Sequence, residues 1–286
     1  MNTYRIFTDS ACDIPPSMLK ELDVSSLSLT FRFLDDNKEY YNGEMAPEEF
    51  YERMRKGGVA KTAAVNINAF EAEFEEVLKR GEDILYIGFS SGLSTTYNSA
   101  FSAIRALSEK YPERKLLAVD TRSASLGFGL LLYLTVKKKN EGAAIEEACE
   151  YAKALVPSLC HWFTVDDLVY LKRGGRVSAA TAFVGNMLGI KPVLHMDGEG
   201  HLINMAKVRG RRASIALLAE KYSALCIDKT APVFISHGDC LADAELLASM
   251  IAERGGEVKM IDFVGPVIGA HAGPGVLALF FIGKER

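Results

Sequence analysis

Gly88-Phe89-Ser90-Ser91-Gly92 ends an apolar run and precedes a helical pattern. G-x-S-x-G between a strand and a helix is the setting of a nucleophile elbow, which names Ser90 as a candidate nucleophile of a serine esterase or thioesterase. That chemistry needs a base and an orienting acid, and His271 with Asp239 or Asp262 stands downstream in the chain order of an α/β-hydrolase. The same segment supports two other readings. One is a tight turn that needs small side chains. The other is an anion or carboxylate site, because Ser90-Ser91-Gly92-Leu93-Ser94-Thr95-Thr96 brings hydroxyls and free backbone N–H groups to a helix start. Ser94 suits the N-cap, but a cap accounts for one hydroxyl and not for the cluster.

Gly265-Pro266-Val267-Ile268-Gly269-Ala270-His271-Ala272-Gly273-Pro274-Gly275 reads as a tightly shaped loop. His271 at its middle is either a backbone-bonded structural histidine or a site residue. His161, His195, His201 and His237 lack metal-site spacing and read as structural. Cys12, Cys149, Cys160, Cys226 and Cys240 are odd in number, scattered and without zinc spacing, so they read as small thiols in a reducing compartment; no metal and no cofactor is expected. Lys172-Arg173-Gly174-Gly175-Arg176 follows a short apolar turn, and with Lys207, Arg209, Arg211 and Arg212 it forms either a solvated face or a docking patch for an acidic or phosphate-bearing partner.

The elements that must position these groups alternate strand and helix in the first half. Strands are predicted at residues 4–8, 84–89 and 116–119. Helices are predicted at 46–56, at 68–80 with Asn68 as cap and Phe70, Phe74, Val77 and Leu78 on one face, at 94–110, through the apolar run 128–136, and at 144–155. Such alternation argues for parallel βαβ units. Pro157 marks a boundary, giving an N-terminal α/β domain at residues 1–157 and a C-terminal α/β domain at 158–286. The second half offers a strand at 162–165, an Ala-rich helix from residue 178 and a hairpin of 192–196 with 202–208 across Asp197-Gly198-Glu199-Gly200. Helices at 211–222 and 242–254 alternate with strands at 233–236, 258–264 and 276–282.

Over 286 residues, 49% hydrophobic and 24% charged content describe an ordinary globular α/β protein with ample core. A net charge of -4 provides no footprint for nucleic acid or an anionic membrane. The chain reaches Asp9 before any apolar stretch of signal-peptide length, and its longest apolar run is too short to span a bilayer, so it reads as cytoplasmic.

Together these segments resemble the DegV family, fatty-acid-binding proteins that in many bacteria serve as the binding subunit of fatty acid kinase. The resemblance runs from Thr8-Asp9-Ser10-Ala11-Cys12-Asp13-Ile14-Pro15 through residues 90–97, Asp120-Thr121-Arg122-Ser123-Ala124-Ser125 and Asp166-Asp167-Leu168-Val169-Tyr170-Leu171-Lys172-Arg173-Gly174-Gly175-Arg176 to the loop at 265–275. It implies two α/β domains holding one long-chain fatty acid in a cleft between them, with no catalytic residue. It further implies a carboxylate held by Thr62 and Ser94 with His271 near the head group, and Arg176 and Arg209 as exposed contacts to the kinase subunit. The family usually continues the threonine as T-S-Q-P, whereas this chain reads Thr62-Ala63-Ala64-Val65, which keeps the threonine and alters the loop beside it.

Overall fold

Short runs of β-branched, aromatic and leucine side chains separated by amphipathic helices set the strand order. The computed structural model describes residues 3–177 and 189–286; the Ala-rich helix expected from residue 178 falls outside them. Before Pro157 lie β1 (Tyr4–Asp9), β2 (Val24–Leu27), β3 (Thr30–Phe33), β4 (Tyr40–Tyr41), β5 (Ala60–Ala63), β6 (Asp83–Gly88) and β7 (Leu116–Asp120). After it lie β8 (Leu159–Thr164), β9 (Ile190–Met196), β10 (Leu202–Arg209), β11 (Pro232–His237), β12 (Glu257–Phe263) and β13 (Leu277–Ile282).

The first sheet has the order β2-β1-β6-β7, parallel throughout, as the βαβ pattern predicts. The six-stranded sheet, β10-β9-β8-β13-β11-β12, is antiparallel except between β11 and β12. A third sheet, β4-β3-β5, was not foreseen from the sequence; with the helix Pro47–Arg55 it forms a small aromatic core of Phe31, Phe33, Phe50 and Tyr51.

The apolar run became the helix Ser125–Asn140, which packs on β8, β11 and β13 and against the helix Ile145–Leu155. Its apolar circumference is therefore used up by protein on all sides. Among the described residues no helix is long and apolar enough to cross a membrane.

Three local expectations are corrected. The helix at 68–80 is Ile67–Lys79, capped by Asn66, whose carboxamide oxygen accepts from the Ala69 amide at 2.9 Å; the predicted apolar face of Phe70, Phe74, Val77 and Leu78 is buried. The helix expected from Ser94 begins at Thr96, leaving Ser94 in the turn before it. Residues 266–272 are a helix, Pro266–Ala272, and not a loop: Pro266 supplies the preset φ of a first helical position, and Gly273 at φ +80° ends it.

Candidate ligand-binding cavity

The carboxyl ends of the parallel strands are clamped by two aspartates. Asp9 Oδ1 accepts from the Ala11 amide at 3.1 Å, and its Oδ2 accepts from Tyr86 at 2.7 Å and from the Phe89 amide at 3.0 Å. Asp120 accepts from the Ser91 and Arg122 amides and from the Ser91 hydroxyl. These bonds fix the segment that follows β6 at the edge of a parallel sheet, the usual place for a ligand site in α/β folds.

Ser90 is spent on this scaffold. It is fully buried, donates to the Gly200 carbonyl at 2.9 Å and accepts from the Gly92 amide at 3.2 Å. The 197–200 turn docks on it this closely because Gly200 (φ +80°) has no side chain; a Cβ there would meet Ser90 Oγ at 2.3 Å. A nucleophilic serine needs its proton on a base. His271, the proposed base, is bonded elsewhere, Asp239 is paired with Arg55, and Asp262 Oδ1 accepts the Phe263 amide. The nucleophile-elbow reading of Ser90 is thereby corrected to a structural turn.

A cavity of about 430 Å³ opens beyond the turn, within the range of small-molecule sites. Thr62, Ser94, Arg176 and His271 all line it. Thr62 Oγ1 and His271 Nε2 are 2.9 Å apart. Burial, reinforced by the Arg176 charge, draws the His271 pKa down to about 4, so the imidazole is neutral at pH 7. Its Nδ1 is buried with no partner among the described residues. An unpaired ring N–H in such a place costs more than an unpaired lone pair, so the proton belongs on Nε2, donated to Thr62. The Thr62 hydroxyl proton is then free for a ligand.

The same logic holds across the cavity. The buried Thr96 hydroxyl lies 2.9 Å from Ser94 Oγ, which also accepts the Thr96 amide at 3.2 Å. With Thr96 donating to Ser94, the Ser94 proton is directed at the cavity, at the N-terminal end of a fifteen-residue helix.

Arg176 departs from expectation. It is half-buried rather than exposed: the Gly174-Gly175 turn folds the chain back after the short helix Val169–Arg173. Its Nε and Nη2 donate to the Leu93 carbonyl at 3.2 and 3.1 Å, next to Ser94. Arg209 is exposed at the end of β10. Arg211, grouped with it in the basic stretch, is bonded to Asp243 at 2.8 Å and so is drawn out of any free patch.

The remaining wall is mainly apolar, including Leu29, Phe89, Phe163, Val267 and Ile268. Ala63 and Ala64, where the sequence departs from T-S-Q-P, present methyl groups to it. Three polar lining residues escaped sequence reasoning: His161, read as structural, and Ser125 and Ser236. His161 and Ser236 sit in strands buried on both faces, where no polar alternation sets them apart.

Comparison with known proteins finds relatives along nearly the whole chain. A family model described as "Uncharacterised protein, DegV family" matches residues 3–284. A DegV domain-containing protein of Clostridium perfringens is 44% identical over 292 residues, covering 100% of this chain and 99% of the relative. A crystal structure of a DegV lipid-binding protein from Thermotoga maritima superposes with a TM-score of 0.83 at 30% identity, covering 99% of each chain. A DegV family protein from Eubacterium eligens, loaded with heptadecanoic acid, has a TM-score of 0.85 at 25% identity, covering 99% of this chain and 100% of that one.

Proposed function

The chain belongs to the DegV family, and from that premise we propose that it binds one long-chain fatty acid and offers the carboxyl group to a fatty acid kinase, which would phosphorylate it to an acyl phosphate. The observation that carries this reading is the pair of relays, His271 to Thr62 and Thr96 to Ser94, each ending in a hydroxyl proton at one largely apolar cavity. Thr62 and Ser94 hold the carboxylate, His271 keeps Thr62 pointed at it, and the Arg176 guanidinium lies beside it. The tail runs along the apolar wall, in a cleft between α/β domains at 1–157 and 158–286. A tail of about fifteen methylenes at ~0.8 kcal/mol each represents on the order of 12 kcal/mol of gross transfer free energy, against roughly 1.5–3 for each hydrogen bond to a carboxylate. The tail therefore sets affinity and the hydroxyls set orientation.

Neutral donors hold the carboxylate, and Arg176, already bonded to the Leu93 carbonyl, adds charge beside it while an oxygen stays reachable by a partner's phosphoryl group. Arg209, exposed on β10, is the residue assigned to the kinase, and the protein itself contributes no catalytic group. It acts in the cytoplasm. Mass spectrometry of an organic extract of the purified chain tests the reading: about one fatty acid per chain is expected, and an extract without any, from protein that also fails to take up added acid, overturns it.

A further inference from the structure

The sheet floor of the cavity contains a hydroxyl where packing alone asks for carbon. Alternation turns Phe234 and Ser236 of β11, Ala278 and Phe280 of β13, and His161 and Phe163 of β8 toward the core shared with the helix Ser125–Asn140. His161 is occupied, with Nδ1 3.2 Å from the Ser123 hydroxyl and its ring edge-on to Phe280. Ser236 is paired with Ser125 at 3.1 Å, and Ser125 Oγ is 2.6 Å from Asp13 Oδ2. Both serines line the cavity.

One proton per hydroxyl decides what this trio offers. With Asp13 ionised, the Ser125 proton goes to its carboxylate, the shorter contact. Ser236 is then free either to donate to Ser125 and accept from a ligand, or to donate to the ligand itself. Asp13 Oδ1 is buried without a partner among the described residues, so the trio is not saturated. Ser125 is held at φ +54°, a conformation costly for a residue with a side chain.

The helix Pro266–Ala272 measures how far this group lies from the proposed carboxylate site. At its start, a Cβ on Gly265 would come 2.5 Å from Asp13 Oδ1; near its end, His271 meets Thr62. Six residues at about 1.5 Å each span about 9 Å. An extended acyl chain advances about 1.25 Å per carbon, given C–C bonds of about 1.5 Å, so about seven carbons of tail separate the carboxylate site from the level of Asp13, the residue behind the two lining serines.

We propose that Ser236, with Ser125 and Asp13 behind it, is a specificity site for acyl chains carrying a hydroxyl group near mid-chain. This rests on the fatty-acid reading above. A hydroxyl buried in an all-carbon wall would lose its water without replacement, whereas here it meets a serine that can donate or accept. A plain chain is tolerated because the serines keep their bonds to each other.

The test compares positional isomers of equal hydrophobicity on the delipidated full-length protein: octadecanoic acid hydroxylated mid-chain and octadecanoic acid hydroxylated beside the terminal methyl, with the plain acid as reference. The mid-chain isomer should bind about three- to tenfold tighter than the terminal isomer, the range of one neutral hydrogen bond. Ser236→Ala should bring that ratio to about one. Ser125→Gly, which removes the hydroxyl and also relieves the positive φ, should lower it without loss of folding. Equal affinities in the wild type, or a preference that survives both variants, overturns this proposal alone. Failure of the plain acid to bind overturns the fatty-acid reading as well.

Discussion

A neutral histidine at the proposed carboxylate site does its work through a hydroxyl. With His271 held near pKa 4 by burial and by Arg176, it cannot act as a cation at pH 7, and its part is to accept no proton while keeping the Thr62 hydroxyl aimed at the ligand. Ser94 plays the matching part with Thr96 behind it. Ser94→Ala removes one hydrogen bond to a charged group and leaves Thr96 without an acceptor, so fatty-acid affinity should fall by about 1.5–3 kcal/mol, read by displacement of a fluorescent fatty acid. An unchanged affinity would remove Ser94 from the site. Ser94 and His271 were legible because each sits in a run whose chemistry exceeds what a cap or turn requires, whereas Thr62, followed by Ala63-Ala64-Val65, carries no such signal and followed only from the family resemblance. Arg176 was misjudged because a basic, glycine-bearing stretch reads as exposed, and only the fold reveals that Gly175 at φ +72° turns it inward. Ser236 gave no signal at all: a serine inside an apolar strand looks like a packing choice until the opposite wall is known.

At the level of elements, two adjacent glycines separate site geometry from backbone freedom. Gly174 has helical backbone, but a Cβ there would lie 2.2 Å from His271 Nδ1; Gly175 has nothing within 4 Å and a positive φ. Gly174→Ala should therefore push the imidazole away from Thr62 and weaken fatty-acid binding by about tenfold or more, the value of one hydrogen bond to a charged group. Gly175→Ala should cost about 1–2 kcal/mol of folding stability through left-handed backbone strain while affinity holds. Urea melts and binding titrations on the two variants check both halves, and a reversed pattern would mean that His271 is not held by contact with this turn. The long periodic elements of both halves were legible from their apolar spacing. Those missed were short: β3 and β5 have four residues each, and Pro266–Ala272 has seven with a central glycine, a composition that reads as loop. Gly269 serves packing there, since a Cβ would come 2.5 Å from the Tyr51 hydroxyl, whose proton is given to the Val264 carbonyl at 2.7 Å. Helical propensity is overridden by such a tertiary fit.

For the whole molecule, buried titratable groups shifted in opposite senses determine how stability follows pH. Burial lowers His195 and His271 to about 4, and it also lowers His161 and His237. Unfolding releases these rings to their ordinary range, where they bind protons below pH 6.5, so the unfolded state gains protons and stability falls as pH drops. Asp9 and Asp13 oppose this. Burial raises them to about 6 and about 7, so the folded state holds protons that the unfolded state has lost, and stability falls as pH rises from 4 toward 7. Three strongly lowered histidines outnumber the two strongly raised aspartates, so stability rises with pH through the acid range, with His237 adding to the rise and Asp262, also raised by burial, subtracting from it. Above pH 6.5 the two sets fade together, the unfolded rings losing their remaining protons as Asp13 and the last of Asp9 lose theirs. Urea midpoints should accordingly rise from pH 4.5 and level off at about pH 7 to 8. Asp13→Asn removes one of the opposing protons and should steepen the rise between pH 4.5 and 7. A profile without the acid limb would mean that the buried histidines are charged in the folded protein, and with it would go the neutral His271 on which the orientation of Thr62 depends.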